Sequence, residues 1–178
     1  IDLYEDLLPS DMGQIERDME HWCKYAPIPV FFNGKQINVD PAKEKWDHVL
    51  PEAYVRLRKG SSLAVYNLGI HVMDLSGYQY GTGGVIVSRQ QLKVNFARND
   101  IQSNCPVWRK VKPVVNQWAT DHNRKSKKLD DNARNRLCEQ LRTGEITFEG
   151  NTRLKLITAV TGRHFDIEAI RQSPWNPR

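Results

Sequence analysis

Apolar positions along the chain change their period several times. From residue 11 to 25, Ile15, Met19, Trp22 and Cys23 recur at helical spacing. Asp11 with Gln14 three places on resembles a capping pair, and Pro27 and Pro29 are expected to stop the helix. The run PVFF-NG-KQIN follows. Asn33-Gly34 between apolar-rich runs predicts a two-residue hairpin, because that turn needs positive φ at both central positions. Residues 40–60 are mixed: a proline-flanked loop around Trp46, then PEAYVRLRKG, which fits a strand or a short helix. SSLAVYNLGIHVMDL, 61–75, is rich in Val, Ile and Tyr and reads as one strand. GYQYGTGG, 77–84, reads as a glycine-rich loop, GVIVSRQQ, 84–91, as the start of a second strand, and LKVNF, 92–96, as a third.

At Pro106 the period returns to that of a helix. Val107, Val111, Val114, Val115 and Trp118 share one face. Pro106 suits the first turn, and Pro113 inside the pattern predicts a kink or a split. A basic loop follows. A second helix starts at Asp130 and Asp131, faces inward with Ala133, Leu137, Cys138 and Leu141, and stops at Gly144. The stretch from ITFEGNTRLKLITAVTG onward reads as a strand or hairpin, then a short helix at DIEAIRQ and a frayed SPWNPR end. No repeat or low-complexity tract occurs. The order of elements is α+β rather than alternating βαβ.

The chain has 178 residues, of which 39% are hydrophobic, which implies one domain or a domain with an appendage. No apolar run approaches the roughly 18 residues a membrane helix needs. The start, IDLYEDLLPSD, lacks the basic and apolar blocks of a signal peptide. Opening on isoleucine, it reads as a processed product or as a piece excised from something longer, the second favoured because a helix follows without a lead-in domain. Cys23, Cys105 and Cys138 are odd in number and widely spaced, which argues against a disulfide framework and predicts a cytoplasmic setting. Net charge is +5 and uneven. WRKVKPVVNQWATDHNRKSKK, 108–128, makes Lys110, Lys112, Arg124, Lys125, Lys127 and Lys128 candidate nucleic-acid contacts; the alternative is a solvated helix end.

Chemistry is sparse. His21, His48, His71, His122 and His164 are scattered, none at metal-ligand spacing, and His21 and Cys23 do not share a helix face, so no metal site is expected. Cys105 precedes a helix and reads as a small core or capping residue. No GxSxG, lysine-bearing phosphate loop or HExxH occurs. GTGG leads into a strand, whereas phosphate-cradling loops lead into a helix. That leaves LKVNFARND, 92–100. A guanidinium near Asn95 and Gln102 is equipped to grip an anion, and Asn95 can pin the loop through backbone bonds. An ordinary polar turn explains the same residues.

The stretch VYNLGIHVMDL…GGVIVSRQQLKVNFARNDIQ, 65–102, resembles the middle, or transducer, segment of the heat-shock-ninety-type chaperones. These belong to the GHKL ATPase superfamily with the gyrase B subunit, MutL and histidine kinases. Gly84-Val85-Ile86-Val87-Ser88 matches the family's Gly-Val-Val-x-Ser strand. Leu92, Val94, Asn95, Arg98, Ile101 and Gln102 match its Leu-x-Leu-Asn-x-Ser-Arg-Glu-x-Leu-Gln segment. Ala97 and Asn99 depart from it, standing where the family often has serine and glutamate. Upstream, MGQIERDMEHWCKYAPIPVFFNGKQIN is similar to the end of the family's ATP-binding domain, with Tyr25, Pro27, Ile28, Pro29 and Val30 at its helix-to-strand junction.

The resemblance implies a ribosomal-S5-like transducer domain: a mixed sheet packed by helices, with a helical C-terminal part. Residues 1–40 would be the tail of an ATP-binding domain, 41–120 the transducer and 121–178 a helical or irregular extension. By position, Arg98 is implied to sense the γ-phosphate of ATP, Gln102 to help it and Asn95 to position the loop. The ATP and its Mg2+ would be held by another part of the same protein, because the pocket's catalytic glutamate, Asp-x-Gly-x-Gly turn and glycine-rich lid are absent from the sequence. This chain alone would then hydrolyse little ATP, and the full protein would close as a homodimer with chaperone or remodelling activity. The rival expectations are a nucleic-acid-binding module, and an interaction domain in which Arg98 pairs with a neighbouring carboxylate.

Overall fold

Residues 53–58 alternate buried with less buried positions and residues 83–88 are buried almost throughout, which builds a sheet with two used faces. The structure, a computed structural model, describes residues 9–125, 129–149 and 151–173. Helix α1 (Pro9–Cys23) leads to the small hairpin of β1 (Phe31–Phe32) and β2 (Lys35–Gln36), then to a 3-10 turn at Pro41–Lys43. Strands β3 (His48–Val49), β4 (Ala53–Arg58), β5 (Ser62–Asn67) and β6 (Ile70–Ser76) follow, then the single helical turn α2 (Gly77–Tyr80) and β7 (Gly83–Ser88). After a long loop come α3 (Pro106–Lys125), α4 (Asp131–Arg142), the hairpin of β8 (Ile157–Thr158) and β9 (His164–Phe165), and α5 (Ile167–Arg171). The fold is α+β. Its main sheet has the order β3-β4-β7-β5-β6, with β5 and β7 parallel and the other neighbours antiparallel.

One face carries the main core. Val55, Leu57, Leu63, Val65, Leu75 and Ile86 meet Val107, Trp108, Val111 and Val115 of α3. Each such side chain contributes roughly 1.5–3 kcal/mol by leaving water. The opposite face is aromatic: Tyr25, Tyr66 and Val87 are buried there, flanked by Trp46 and Tyr54. Segment 24–47 covers this face. Its proline-interrupted backbone is held by buried Asn38, which donates to the Ala26 and Ile28 carbonyls and accepts from Val30 N, all at 2.8 Å. The Arg56 guanidinium stacks on Trp46 at 4.5 Å and pairs with Glu44, and Tyr25 Oη donates to the same carboxylate. A third, smaller cluster joins Leu137 of α4 to Leu154 and Leu156. Buried Arg134 ties that unit together by donating to the Leu129 and Lys155 carbonyls and to Asp131.

Several expectations are corrected. Residues 61–75 are two strands, because Leu68 (φ 51) and Gly69 (φ 89) form a tight hairpin turn. A leucine is a poor turn former at positive φ; its amide is compensated by Ser88 Oγ at 3.0 Å. GYQYGTGG is not all loop: α2 occupies its first half and Gly81 (φ 73) ends it. LKVNF is not a third strand, for only the isolated bridge Val94–Ile101 forms there. Pro113 does not split α3, which runs unbroken from Pro106 to Lys125. It sits on the exposed face, where water can serve the freed carbonyl, while Val111 and Val115 hold the inner face to the sheet. PEAYVRLRKG resolves as strand β4, and the Asn33-Gly34 turn forms with φ 48 and φ 79. No helix among the described residues is long and apolar enough to cross a membrane.

Two substitutions test these constraints. Gly84, in the central strand, has φ 133, and a Cβ there would lie 2.1 Å from the Arg56 carbonyl oxygen. Gly84→Ala is expected to destabilise by at least about 2 kcal/mol, read from the urea midpoint; a loss below about 0.5 kcal/mol would show that β4 yields freely. The Arg56 hydrogen bond holds the Glu44 carboxyl below its usual range against the opposing effect of burial. Glu44 therefore stabilises the fold above the unfolded carboxylate pKa of about 4.3, and this is lost as pH falls through its lower folded value. In Glu44→Gln, stability measured across an acid pH series should fall less steeply over that window.

Candidate functional site

The LKVNFARND segment leaves the sheet where β5 and β7 end side by side. Asn67 Oδ1 accepts the Leu92 amide at 2.9 Å and the Ser88 hydroxyl at 3.3 Å. The Lys93 amide points at buried Cys105 Sγ, 3.4 Å away. Leu92 and Ile101 are both buried in the main core, so the two arms of the loop share one root. The arms then pair: Gln102 N donates to Lys93 O at 2.9 Å and Asn95 N to Asp100 O at 3.0 Å. The Gln102 side chain adds a bond from Nε2 to Val94 O at 2.9 Å.

Beyond Asn95 the chain reverses. The Arg98 amide closes a turn onto Asn95 O at 3.1 Å, and Arg98 takes φ 52, a left-handed backbone held by its surroundings. Asn95 Oδ1 accepts the amides of Asn99 (3.1 Å) and Asp100 (3.3 Å), and Asn95 Nδ2 donates to Asn99 Oδ1 at 2.6 Å. Asn99 thus joins the loop's internal bonding at a position where sequence likeness expected a glutamate. The tip presents Phe96, at 106% relative exposure, beside the exposed Arg98. Among the described residues, the Arg98 side chain has no hydrogen-bond or ion-pair partner. The expected carboxylate partner of the interaction-domain reading is therefore not among them.

Asn95, Arg98 and Gln102 are brought together in this one loop, two as braces and one as cargo. The basic candidates are not. Lys110 is exposed on α3, while Lys112 is paired with Glu145 Oε1 at 2.6 Å. Arg124 and Lys125 close α3 with side chains outside the described part, and Lys127 and Lys128 lie outside the described residues. Beside the loop's root a cleft of about 560 Å³ is lined by Tyr80, Asp100, Trp108, Arg109, Lys112 and Glu145. Its charged pair is neutralised, and Asn116 Nδ2 also holds Glu145, at 3.0 Å. Burial, then the charges of Asp100 and Glu145, push the Tyr80 phenol up to about 12. Tyr80 thus stays protonated, and Lys112 with Glu145 braces the C-terminal unit against α3.

The anchors Asn67 and Cys105 left no signal as loop supports, because their partners are 25 and 12 residues away. Distance in sequence also hid a second grouping. The rings of His21 and His71 lie 4.2 Å apart, with Asp74 beside them, three side chains able to offer metal ligands. Burial first, then neighbouring His21, lower the His71 pKa against the pull of Asp74 and favour neutral imidazole.

The role of Asn95 as brace has a direct readout. Asn95→Ala should speed amide exchange at Asn99 and Asp100 by about tenfold or more while changing global stability by under about 1 kcal/mol. Unchanged exchange would show that the tip is held by something else. The chain matches no protein-family model and no curated protein sequence.

Proposed function

We propose that this chain is the transducer part of an ATPase of the heat-shock-ninety type, with a ribosomal-S5-like domain carrying Arg98 toward the γ-phosphate of ATP. The ATP·Mg2+ would be bound by a domain outside this sequence. One observation carries the reading: an exposed guanidinium, unpaired among the described residues, sits on a left-handed residue at the tip of a loop braced from both arms. Evenly solvated surface arginines need no such bracing. A cation delivered to another domain's phosphate does, because misplacement by an ångström weakens the electrostatic gain.

The guanidinium fork offers parallel donors to two phosphate oxygens, and it stays charged at any working pH. Such a charge-assisted contact contributes about 1.5–3 kcal/mol, which shifts a docking equilibrium by about 10- to 150-fold. ATP would therefore favour the state in which the loop is docked, and hydrolysis would release it. Coupling to closure of a homodimer, with chaperone or remodelling output, extends the same reading. Exposed Phe96 gives the tip an apolar contact to make alongside the charge.

The test is ATP turnover in the full-length protein. Arg98→Ala should lower turnover at least about 100-fold, in line with arginines that stabilise a transferring phosphoryl group, while ATP affinity falls by less than about tenfold. Arg98→Lys should restore only part of the rate, since a point charge lacks the fork. Unchanged turnover in Arg98→Ala would sink the assignment.

A further inference from the structure

The three side chains His21, His71 and Asp74 come from two elements. His21 lies in the last turn of α1, and His71 and Asp74 lie on β6, the edge strand of the sheet. Their offered ligand atoms all lie within 4.8 Å of one another. In a regular strand, residues three apart point to opposite faces. Here they do not, because β6 carries a bulge. Val65 pairs with Met73 but Tyr66 pairs with His71, so Val72 is an extra residue in β6. The bulge turns His71 to the same side as Asp74.

The surroundings hold the set in place. The Asp74 carboxylate is fixed through Oδ1 by the Ser62 hydroxyl at 2.8 Å, leaving Oδ2 free to face His71 Nε2 at 3.4 Å. Tyr66 Oη donates to the His21 carbonyl at 2.9 Å, and its ring packs edge-on to both imidazoles. His71 Nε2 is screened from solvent and has no well-aligned hydrogen bond. A buried ring nitrogen without a bond, aimed at a second imidazole and a carboxylate, is an arrangement a cation would complete.

We infer that His21, His71 and Asp74 form a site for a divalent transition-metal ion, zinc by preference, which clips α1 to the edge of the sheet. Two imidazoles and one carboxylate suit zinc and leave a fourth position for water. Calcium and magnesium prefer oxygen-only sets. Donors around tetrahedral zinc lie about 3.4 Å apart, given bonds near 2.1 Å. His71 Nε2 and Asp74 Oδ2 already lie 3.4 Å apart, so exposed His21 is the ligand that would adjust. Ser62 then serves as the outer hydrogen-bonding partner that orients the carboxylate. The site stands apart from the Arg98 loop and does not rest on the ATPase reading.

The test uses the whole chain, stripped with a chelator and titrated with Zn2+ by calorimetry and with Co2+ by visible absorption. Expected are one equivalent bound, the intense visible bands of four-coordinate cobalt, and a higher melting temperature with zinc. Ser62→Ala should weaken zinc about tenfold, and His21→Ala, His71→Gln or Asp74→Asn about 100-fold or more, with loss of the cobalt bands. Cys23→Ser, which removes the thiol two residues from His21, should bind as the parent does. His21 is exposed on a helix, so His21→Ala keeps the test sound if His71→Gln fails to fold. Failure of the parent chain to bind one equivalent overturns the inference, as does undiminished binding by His21→Ala.

Discussion

The carboxamide of Asn67 fixes how the chain leaves the sheet at the ends of β5 and β7. Strands β5 and β7 are parallel, so both end at the same edge. At that edge one oxygen, Asn67 Oδ1, receives the Leu92 amide and the Ser88 hydroxyl, and the Ser88 oxygen receives the Leu68 amide. The end of β5, the hairpin turn, the end of β7 and the departing loop therefore meet in one hydrogen-bonded node. Leaving even one of those buried or half-buried donors unpaired costs about 1–3 kcal/mol, more than a typical net bond contributes. The chain has little freedom to leave the sheet by another route.

The node reaches further than its own atoms. The Leu68-Gly69 turn is pressed against segment 24–47: a Cβ on Gly69 would lie 1.9 Å from the Tyr25 carbonyl oxygen. Glycine is needed there for its positive φ and for that close approach together. Tyr25 in turn packs on Tyr66 at 4.9 Å between ring centres and hydrogen-bonds Glu44. Burial, then the charge of Glu44, push the Tyr25 phenol up to about 12, so it remains a donor across the physiological range. The exit of α1, the aromatic face of the sheet and the root of the Arg98 loop are thus fixed to one another by contacts spanning a few side chains.

How much of this could be read in the sequence follows from how local each cause is. The Asn33-Gly34 turn, the start of α4 at Asp130 and Asp131 and the inward face of α3 depend on neighbours within a turn or two, and they are legible. The hairpin at Leu68-Gly69 was not, because a leucine at positive φ is tolerated only when distant Ser88 serves its amide. The run LKVNF alternates like a strand, yet its neighbour is its own return arm and not the sheet, so only one bridge forms. In the loop, Arg98 and Asn95 stood out by residue type. What distinguishes a brace from an ordinary polar turn is which amides Asn95 accepts and what Arg98 lacks, and both are properties of three-dimensional placement. The histidines show the same limit: 50 residues separate His21 from His71, and a bulge invisible to periodicity decides that His71 faces Asp74.

The loop and the histidine cluster meet the same hairpin from opposite sides. His71 pairs with Tyr66, and the next residue of β5 is Asn67, whose oxygen receives the loop. Any force that fixes α1 against β6 therefore acts one residue away from the node that aims Arg98. Packed interfaces of this kind resist small continuous deformation, so a hairpin held from both sides behaves as one rigid piece. On the function proposed above, the Arg98 guanidinium would gain from such rigidity, because its benefit to a phosphate would depend on arriving already oriented. The bulge in β6, the strained turn at Leu68 and the left-handed Arg98 are three local departures from ideal backbone geometry. The Leu68 turn is held by the bond from its amide to Ser88 Oγ and the left-handed Arg98 by the bond from its amide to Asn95 O, which accounts for why these two persist.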